Sequence, residues 1–163
     1  IKVLKRPNCF LCFGLFRLIN EGAIRLKITF LETSDMHGYV YPTDYAGKHD
    51  LALGAAKVAT KLKKLREKAE GVVVTIENGD FIQGSPLSYY IAQGKYSVGT
   101  LTKVINQMNY DVQVIGNHEF NYGLEYLQAA IDSYQAPVLA ANILNEAGDP
   151  YFGKAYTIIA PYS

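Results

Sequence analysis

The chain has 163 residues, enough for one domain with its own core, and its 49% hydrophobic and 19% charged residues exclude a disordered polypeptide. A formal net charge of +1 excludes bulk electrostatic attraction to a nucleic-acid polymer or to a membrane surface, so any recognition of phosphate must be local. No apolar stretch reaches the roughly 20 residues that a membrane span requires.

Residues 1–25 read as an N-terminal extension. Lys2, Lys5 and Arg6 precede the apolar run from Cys9 to Phe16, a loosely signal-like pattern. Arg17 interrupts that run and no small-x-small cleavage site follows, so residual upstream or expression-derived sequence is the competing reading. Cys9 and Cys12 are the two cysteines of the chain. A lone C-x-x-C lacks the second pair of ligands that a zinc knuckle needs, and it lacks the strand-to-helix context of a redox pair.

Residues 26–163 read as a single α/β unit. Lys27–Thr33 is a first strand, followed by a Tyr/Pro/Gly/Asp-rich loop from Ser34 to Asp50. Between Leu53 and Glu67 the apolar residues Ala55, Val58, Ala59, Leu62 and Leu65 recur at helical spacing. Val72–Ile76 is a continuous β-branched run, the pattern of a strand buried on both faces. A short helix over Ser85–Ala92 and a longer one over Thr100–Met108 come next. They lead to a buried-type strand at Asp111–Ile115, a helix over Leu124–Tyr134 and a strand at Pro137–Ala141. A further strand is expected at Tyr156–Ala160. Strands alternating with helices predict a mixed, largely parallel sheet.

Ligand sites in such folds lie beyond the carboxyl ends of the strands. The first three strands run into Ser34-Asp35-Met36-His37-Gly38, Glu77-Asn78-Gly79-Asp80 and Gly116-Asn117-His118-Glu119. Asp35 and His37 offer a carboxylate oxygen and an imidazole two residues apart. Asp80 can bridge two cations through its two oxygens, and Asn117 adds an amide oxygen. Two ions roughly 3.5–4 Å apart suit in-line displacement at phosphorus. His118 can protonate a leaving oxygen or meet charge growing on the phosphoryl group. Taken singly, each residue has an ordinary role as a turn cap or loop residue. Three successive strand ends carrying D-x-H, G-D and G-N-H-E point together to a metal site. Gly79 and Gly116 suit close backbone approach beside the ligands. His49 reads as a solvated loop histidine, and Asn142 as a turn residue or an outlying site residue.

Asp35-Met36-His37, Gly79-Asp80-Phe81-Ile82-Gln83-Gly84-Ser85 and Gly116-Asn117-His118-Glu119-Phe120 resemble signature blocks of the calcineurin-like metallophosphoesterases. The similarity runs from about Leu26 to the end of the chain. It is narrowest to the branch of 5'-nucleotidases and 2',3'-cyclic-nucleotide 2'-phosphodiesterases/3'-nucleotidases. The resemblance implies the N-terminal half of a metallophosphoesterase α/β sandwich, with residues 26–163 as a partial catalytic domain. It implies Asp35 and His37 on a first divalent ion, Asp80 bridging, and Asn117 on a second ion. Zinc or manganese is the expected metal. His118 becomes the catalytic histidine and, with Asn117, a substrate contact, and Asn121 orients the imidazole. Asn121-Tyr122-Gly123 favours the cyclic-phosphodiesterase/3'-nucleotidase subgroup, whereas the loop Tyr39–Tyr45 departs from it. Many 5'-nucleotidases carry Asp at the position of Asn121. The expected substrate is a nucleotide or a similar small phosphoester and not a nucleic-acid polymer. A 5'-nucleotidase/UDP-sugar hydrolase and a binding module without catalysis are the alternatives. The family completes its site with later histidine blocks and a base-binding domain, and His37, His49 and His118 are the only histidines here. The 163-residue chain alone is therefore expected to have little or no activity. The resemblance also implies export to the periplasm, cell surface or medium, with a cytoplasmic location as the alternative.

Overall fold

The computed structural model describes the backbone of residues 2–6 and 9–17, and residues 27–47 and 49–159 in full. The side chains of Cys9 and Cys12, and most of the junction at residue 26, lie outside the described residues. Six strands form one sheet in the order of the sequence: β1 (Lys2–Arg6), β2 (Cys9–Arg17), β3 (Lys27–Ser34), β4 (Val72–Glu77), β5 (Val112–Val114) and β6 (Val138–Leu139). β1, β2 and β3 pair antiparallel, and β3 to β6 pair parallel. The apolar run that looked loosely signal-like thus lies along β3, with Phe13 opposite Leu31.

Each parallel step is made through a helix, as parallel pairing requires. α1 (Ala55–Lys68) joins β3 to β4. α2 (Pro86–Tyr90), a π-helical turn (Ile91–Lys95) and α3 (Gly99–Asn106) join β4 to β5. A 3-10 turn (His118–Phe120) and α4 (Leu124–Ser133) lead to β6. The predicted periodicity of α1 holds, since Ala55, Val58 and Leu62 are its buried residues. They pack with Leu31 of β3, Leu101 and Ile105 of α3, and Leu127 and Ala130 of α4 in one core. Ser85 caps α2 reciprocally with Ser88, and Pro86 occupies its first turn, where a missing N–H costs nothing.

The strand expected at Tyr156–Ala160 does not form among the described residues, which are irregular there, and Ile158 is exposed. The bridge next to β6 is made earlier instead, between Leu139 and Lys154. Phe152 takes the core position beside it and is 3% exposed. That leaves the later Tyr156 and Ile158 nothing to cover.

Candidate metal centre

The parallel register of β3 with β4 and of β4 with β5 sets their carboxyl ends side by side. The loops beyond them are stitched together by backbone hydrogen bonds. Asn78 N–H donates to Thr33 O (2.8 Å), Asp35 N–H to Gly79 O (3.1 Å) and His37 N–H to Asp80 O (2.8 Å). Asp35, His37 and Asp80 all have left-handed backbone, with φ of 56°, 49° and 60°. Such a conformation costs a non-glycine residue about 1–3 kcal/mol and persists where surrounding bonds enforce it. Here those bonds are the stitches between the loops, and the strain falls on three residues that the sequence marks as metal ligands.

His37, Asp80 and His118 each offer a ligand atom, and these atoms lie within 4.8 Å of one another. The two imidazoles meet edge to face at 5.0 Å between ring centres. His37 Nδ1 lies 3.1 Å from Gln83 O, and a carbonyl can only accept, so Nδ1 carries the proton and Nε2 keeps its lone pair. His118 Nδ1 is fixed in the same way by Asn121 Oδ1 at 2.9 Å. Both tautomers therefore leave Nε2 able to bind a metal or to exchange a proton. Asp80 is 8% exposed, and its Oδ1 accepts the His118 N–H at 2.7 Å.

Asp35 lies outside this group of three. Its Oδ1 is 3.8 Å from His37 Nε2, and its Oδ2 accepts the Ser34 hydroxyl. Asn117 precedes the 3-10 turn with its side chain exposed, directly before His118. Asn142 sits exposed in a turn after β6, and His49 is an exposed loop residue with Nδ1 3.2 Å from Asp44 Oδ2. The donor set of two imidazoles and a carboxylate, with a second carboxylate adjoining, suits a divalent metal ion.

Two glycines permit this crowding. A Cβ on Gly79 would strike the Gly116 backbone, and one on Gly116 would strike Asp80 Oδ1 and approach Glu119 Oε2 to 2.8 Å. Neither loop could approach the other with a side chain at these positions.

Sequence reasoning assigned no role to Glu119 or Glu77. Glu119 is 4% exposed, and its carboxylate accepts from the N–H groups of Asp80, Phe81, Ile82 and Gly116 at 2.7, 2.6, 3.3 and 2.8 Å. The available signal was an acidic residue inside G-N-H-E, between a glycine turn and a phenylalanine, with no lysine or arginine nearby in the sequence. Glu77, at the end of β4, is also buried. Its Oε2 accepts the Gly79 N–H at 3.2 Å, and its Oε1 has no partner among the described residues. Burial, and then the charge of Glu119, pushes its carboxyl pKa well above the usual range. Gln113, its register partner on β5, has both amide atoms without a hydrogen-bond partner among the described residues.

A cleft of about 560 Å³ opens at the other end of the sheet, lined by Arg66, Thr75 and Asp111 among others. Arg66 Nη2 is committed there to Thr75 Oγ1 and to the carbonyls of Met108 and Asn109 at 3.0, 2.8 and 2.8 Å. This is structural bonding, remote from the strand ends that carry the candidate ligands.

No family model matches the sequence. The chain is 35% identical over 142 residues to a 2',3'-cyclic-nucleotide 2'-phosphodiesterase/3'-nucleotidase of Yersinia enterocolitica, covering 84% of this chain and 22% of that protein. It is 34% identical over 130 residues to the snake venom 5'-nucleotidase of Crotalus adamanteus, covering 77% and 21%. Among solved structures it superposes with a TM-score of 0.62 on the calcineurin-like phosphoesterase YfkN of Bacillus subtilis, at 34% identity over 69% of this chain and 36% of that one. The chain spans between 10% and 26% of the length of curated relatives it matches. Motif blocks, fold and relatives agree, and the chain belongs to the calcineurin-like metallophosphoesterases, in the family of 5'-nucleotidases and 2',3'-cyclic-nucleotide 2'-phosphodiesterases/3'-nucleotidases.

Proposed function

We propose that this protein takes part in divalent-metal-dependent hydrolysis of nucleotide phosphoesters, of the 2',3'-cyclic-nucleotide 2'-phosphodiesterase/3'-nucleotidase type. The observation that carries the reading is the meeting of His37, Asp80 and His118 beyond the ends of parallel strands, with ligand atoms within 4.8 Å of one another. Asp35 and His37 would hold a first ion, Asp80 would bridge, and Asn117 would serve a second. Zinc or manganese fits these donors. When bound, such ions supply Lewis-acid polarisation of the phosphoryl group and a water acidified towards neutral pH.

The chain's own residues do the rest. When its ring is protonated, His118 presents Nε2–H to the substrate and either gives that proton to the leaving oxygen or donates it in a hydrogen bond to the phosphoryl group. Asn121 holds the ring through Nδ1 and keeps that tautomer. Asn117 contacts the substrate beside it. Asn121-Tyr122-Gly123 supports the cyclic-phosphodiesterase subgroup, and so does the Yersinia relative. The 5'-nucleotidase reading is favoured by a different observation, the snake venom relative.

Residues 26–163 are then part of a catalytic domain, and residues 1–25 an extension of it. The ligand set is short of donors for two ions, and further histidines are to be supplied from beyond these residues. By itself the 163-residue chain would turn over little substrate. Export to the periplasm, cell surface or medium suits the scavenging of nucleotides. No described helix is long and apolar enough to cross a membrane.

The test is an assay of the full-length gene product, stripped of metal and reloaded with manganese or zinc. Its substrates are 2',3'-cyclic AMP, 3'-AMP, 5'-AMP and UDP-glucose. Metal-dependent turnover of the first two, lost in Asp80→Asn, is expected. Preference for 5'-AMP or UDP-glucose would overturn the subgroup, and no metal-dependent turnover would favour a binding module.

A further inference from the structure

We infer that Glu119 is a positioning residue for the metal centre, clamping the Asp80 loop to the His118 turn. The inference rests on the metal-site reading above and deepens it. Glu119 Oε2 accepts from the N–H groups of Asp80 (2.7 Å) and Gly116 (2.8 Å), which lie beyond the ends of two different strands. Its Oε1 accepts from Phe81 (2.6 Å) and Ile82 (3.3 Å), the next two residues of the Asp80 loop. Asp80 closes the ring, since its Oδ1 accepts the N–H of His118, the residue before Glu119. Each acidic residue thus grips the backbone beneath the other.

Three features set this carboxylate apart from ordinary loop bonding. It is 4% exposed, and no lysine, arginine or histidine forms an ion pair with it among the described residues. Its charge is met by amide dipoles, the arrangement in which N–H to carboxylate bonds are short and strong. It is a carboxylate close to the site, yet it is not among the residues whose ligand atoms converge there, so its part is to aim ligands rather than to bind. Finally, its bond to the Asp80 N–H supports that residue at φ 60°, a backbone conformation uncommon outside glycine.

Glutamine has the same shape but one acceptor oxygen. In Glu119→Gln, two of the four N–H groups would face an NH2 donor. The two loops would part, and Asp80 and His118 would lose their shared alignment. Loss of such a supporting partner commonly costs about 10–100-fold in metal affinity.

The test is a titration of the metal-free protein with cobalt(II), read from its visible d–d absorption, on wild type, Glu119→Gln, Glu119→Asp and Glu125→Gln. Glu125 is an exposed acid on α4 and serves as the control. Titrations are made well below the unfolding temperature of every variant. Glu119→Gln is expected to raise the cobalt Kd about 10–100-fold and to change the shape of the band. Glu119→Asp, which keeps the charge on a shorter arm, should fall between, and Glu125→Gln should match wild type. A purely structural Glu119 would lower the unfolding temperature and leave the Kd and band of the folded protein unchanged, which overturns the inference. If Glu119→Gln does not fold, Glu119→Asp decides, and wild-type affinity in that variant overturns the inference. A wild-type protein without any cobalt band overturns the metal-site reading, and this inference with it.

Discussion

His118 Nδ1 lies 2.9 Å from Asn121 Oδ1, a neutral partner where the resemblance leads one to expect a carboxylate in many 5'-nucleotidases. The bond fixes which nitrogen carries the proton, and it supplies no charge to stabilise an imidazolium. Asn121→Ala frees the ring and should lower turnover about 10–100-fold, as second-partner losses do, with little change in substrate KM. Asn121→Asp should instead move the pH–rate profile. A carboxylate against Nδ1–H favours protonated His118, so the alkaline limb, on which the general acid loses its proton, shifts to higher pH. Initial rates across pH for the two variants check both outcomes.

Gly116 lies where the two ligand loops are closest. Gly116→Ala would push a methyl group against Asp80 Oδ1 and towards Glu119 Oε2, 2.8 Å from the ideal Cβ. Overpacking of this kind costs about 1–3 kcal/mol, here concentrated on the ligand loops. Urea unfolding should show that loss, and metal titration should show weaker binding in the fraction that remains folded.

Much of the fold was legible in the residues. The β-branched run Val72–Ile76 and the helical spacing of Ala55, Val58 and Leu62 left little choice, and both elements form within two residues of expectation. The strand expected at Tyr156 was not legible, because pairing beside β6 goes to whichever segment brings a side chain for the core, and that is Phe152. The strand made by Cys9–Arg17 was masked because its continuous apolar run has no alternation to distinguish a strand from a leader. At the candidate site, the motifs marked His37, Asp80 and His118, whose ligand atoms meet, and also Asp35 and Asn117, which lie outside that group. They did not mark the supports. Glu119 and Glu77 owe their importance to burial and to N–H groups many residues away, and a sequence does not display either.

Glu77 gives the metal-free protein a pH dependence of known sign. Its folded-state pKa is raised above the ordinary 4.5, first by burial. The folded chain therefore keeps a proton that the unfolded chain loses. The stability linked to that proton is full below pH 4.5 and is lost as pH rises through the raised pKa. Glu77→Gln removes the titration, so it should stabilise the metal-free chain at neutral and alkaline pH relative to wild type. That advantage should shrink towards acid pH. Urea unfolding at a series of pH values checks it, and equal pH slopes for the two proteins would contradict it.

The core beneath the site should behave as an ordinary core. Leu62 of α1 is fully buried, and Leu62→Ala should cost about 2–5 kcal/mol of unfolding free energy. Leu124, at the start of α4, is 51% exposed, and Leu124→Ala should change stability by no more than about 0.5 kcal/mol. Chemical denaturation of the two variants makes the comparison.

Anomalous diffraction from crystals grown with manganese would reveal whether the three strand ends assemble one divalent-metal centre. An anomalous peak is expected within bonding distance, about 2.0–2.3 Å, of donor atoms of both His37 and Asp80. That peak should be lost in Asp80→Asn crystals. Peaks confined to other parts of the molecule, with His37, Asp80 and His118 left to water, would contradict it.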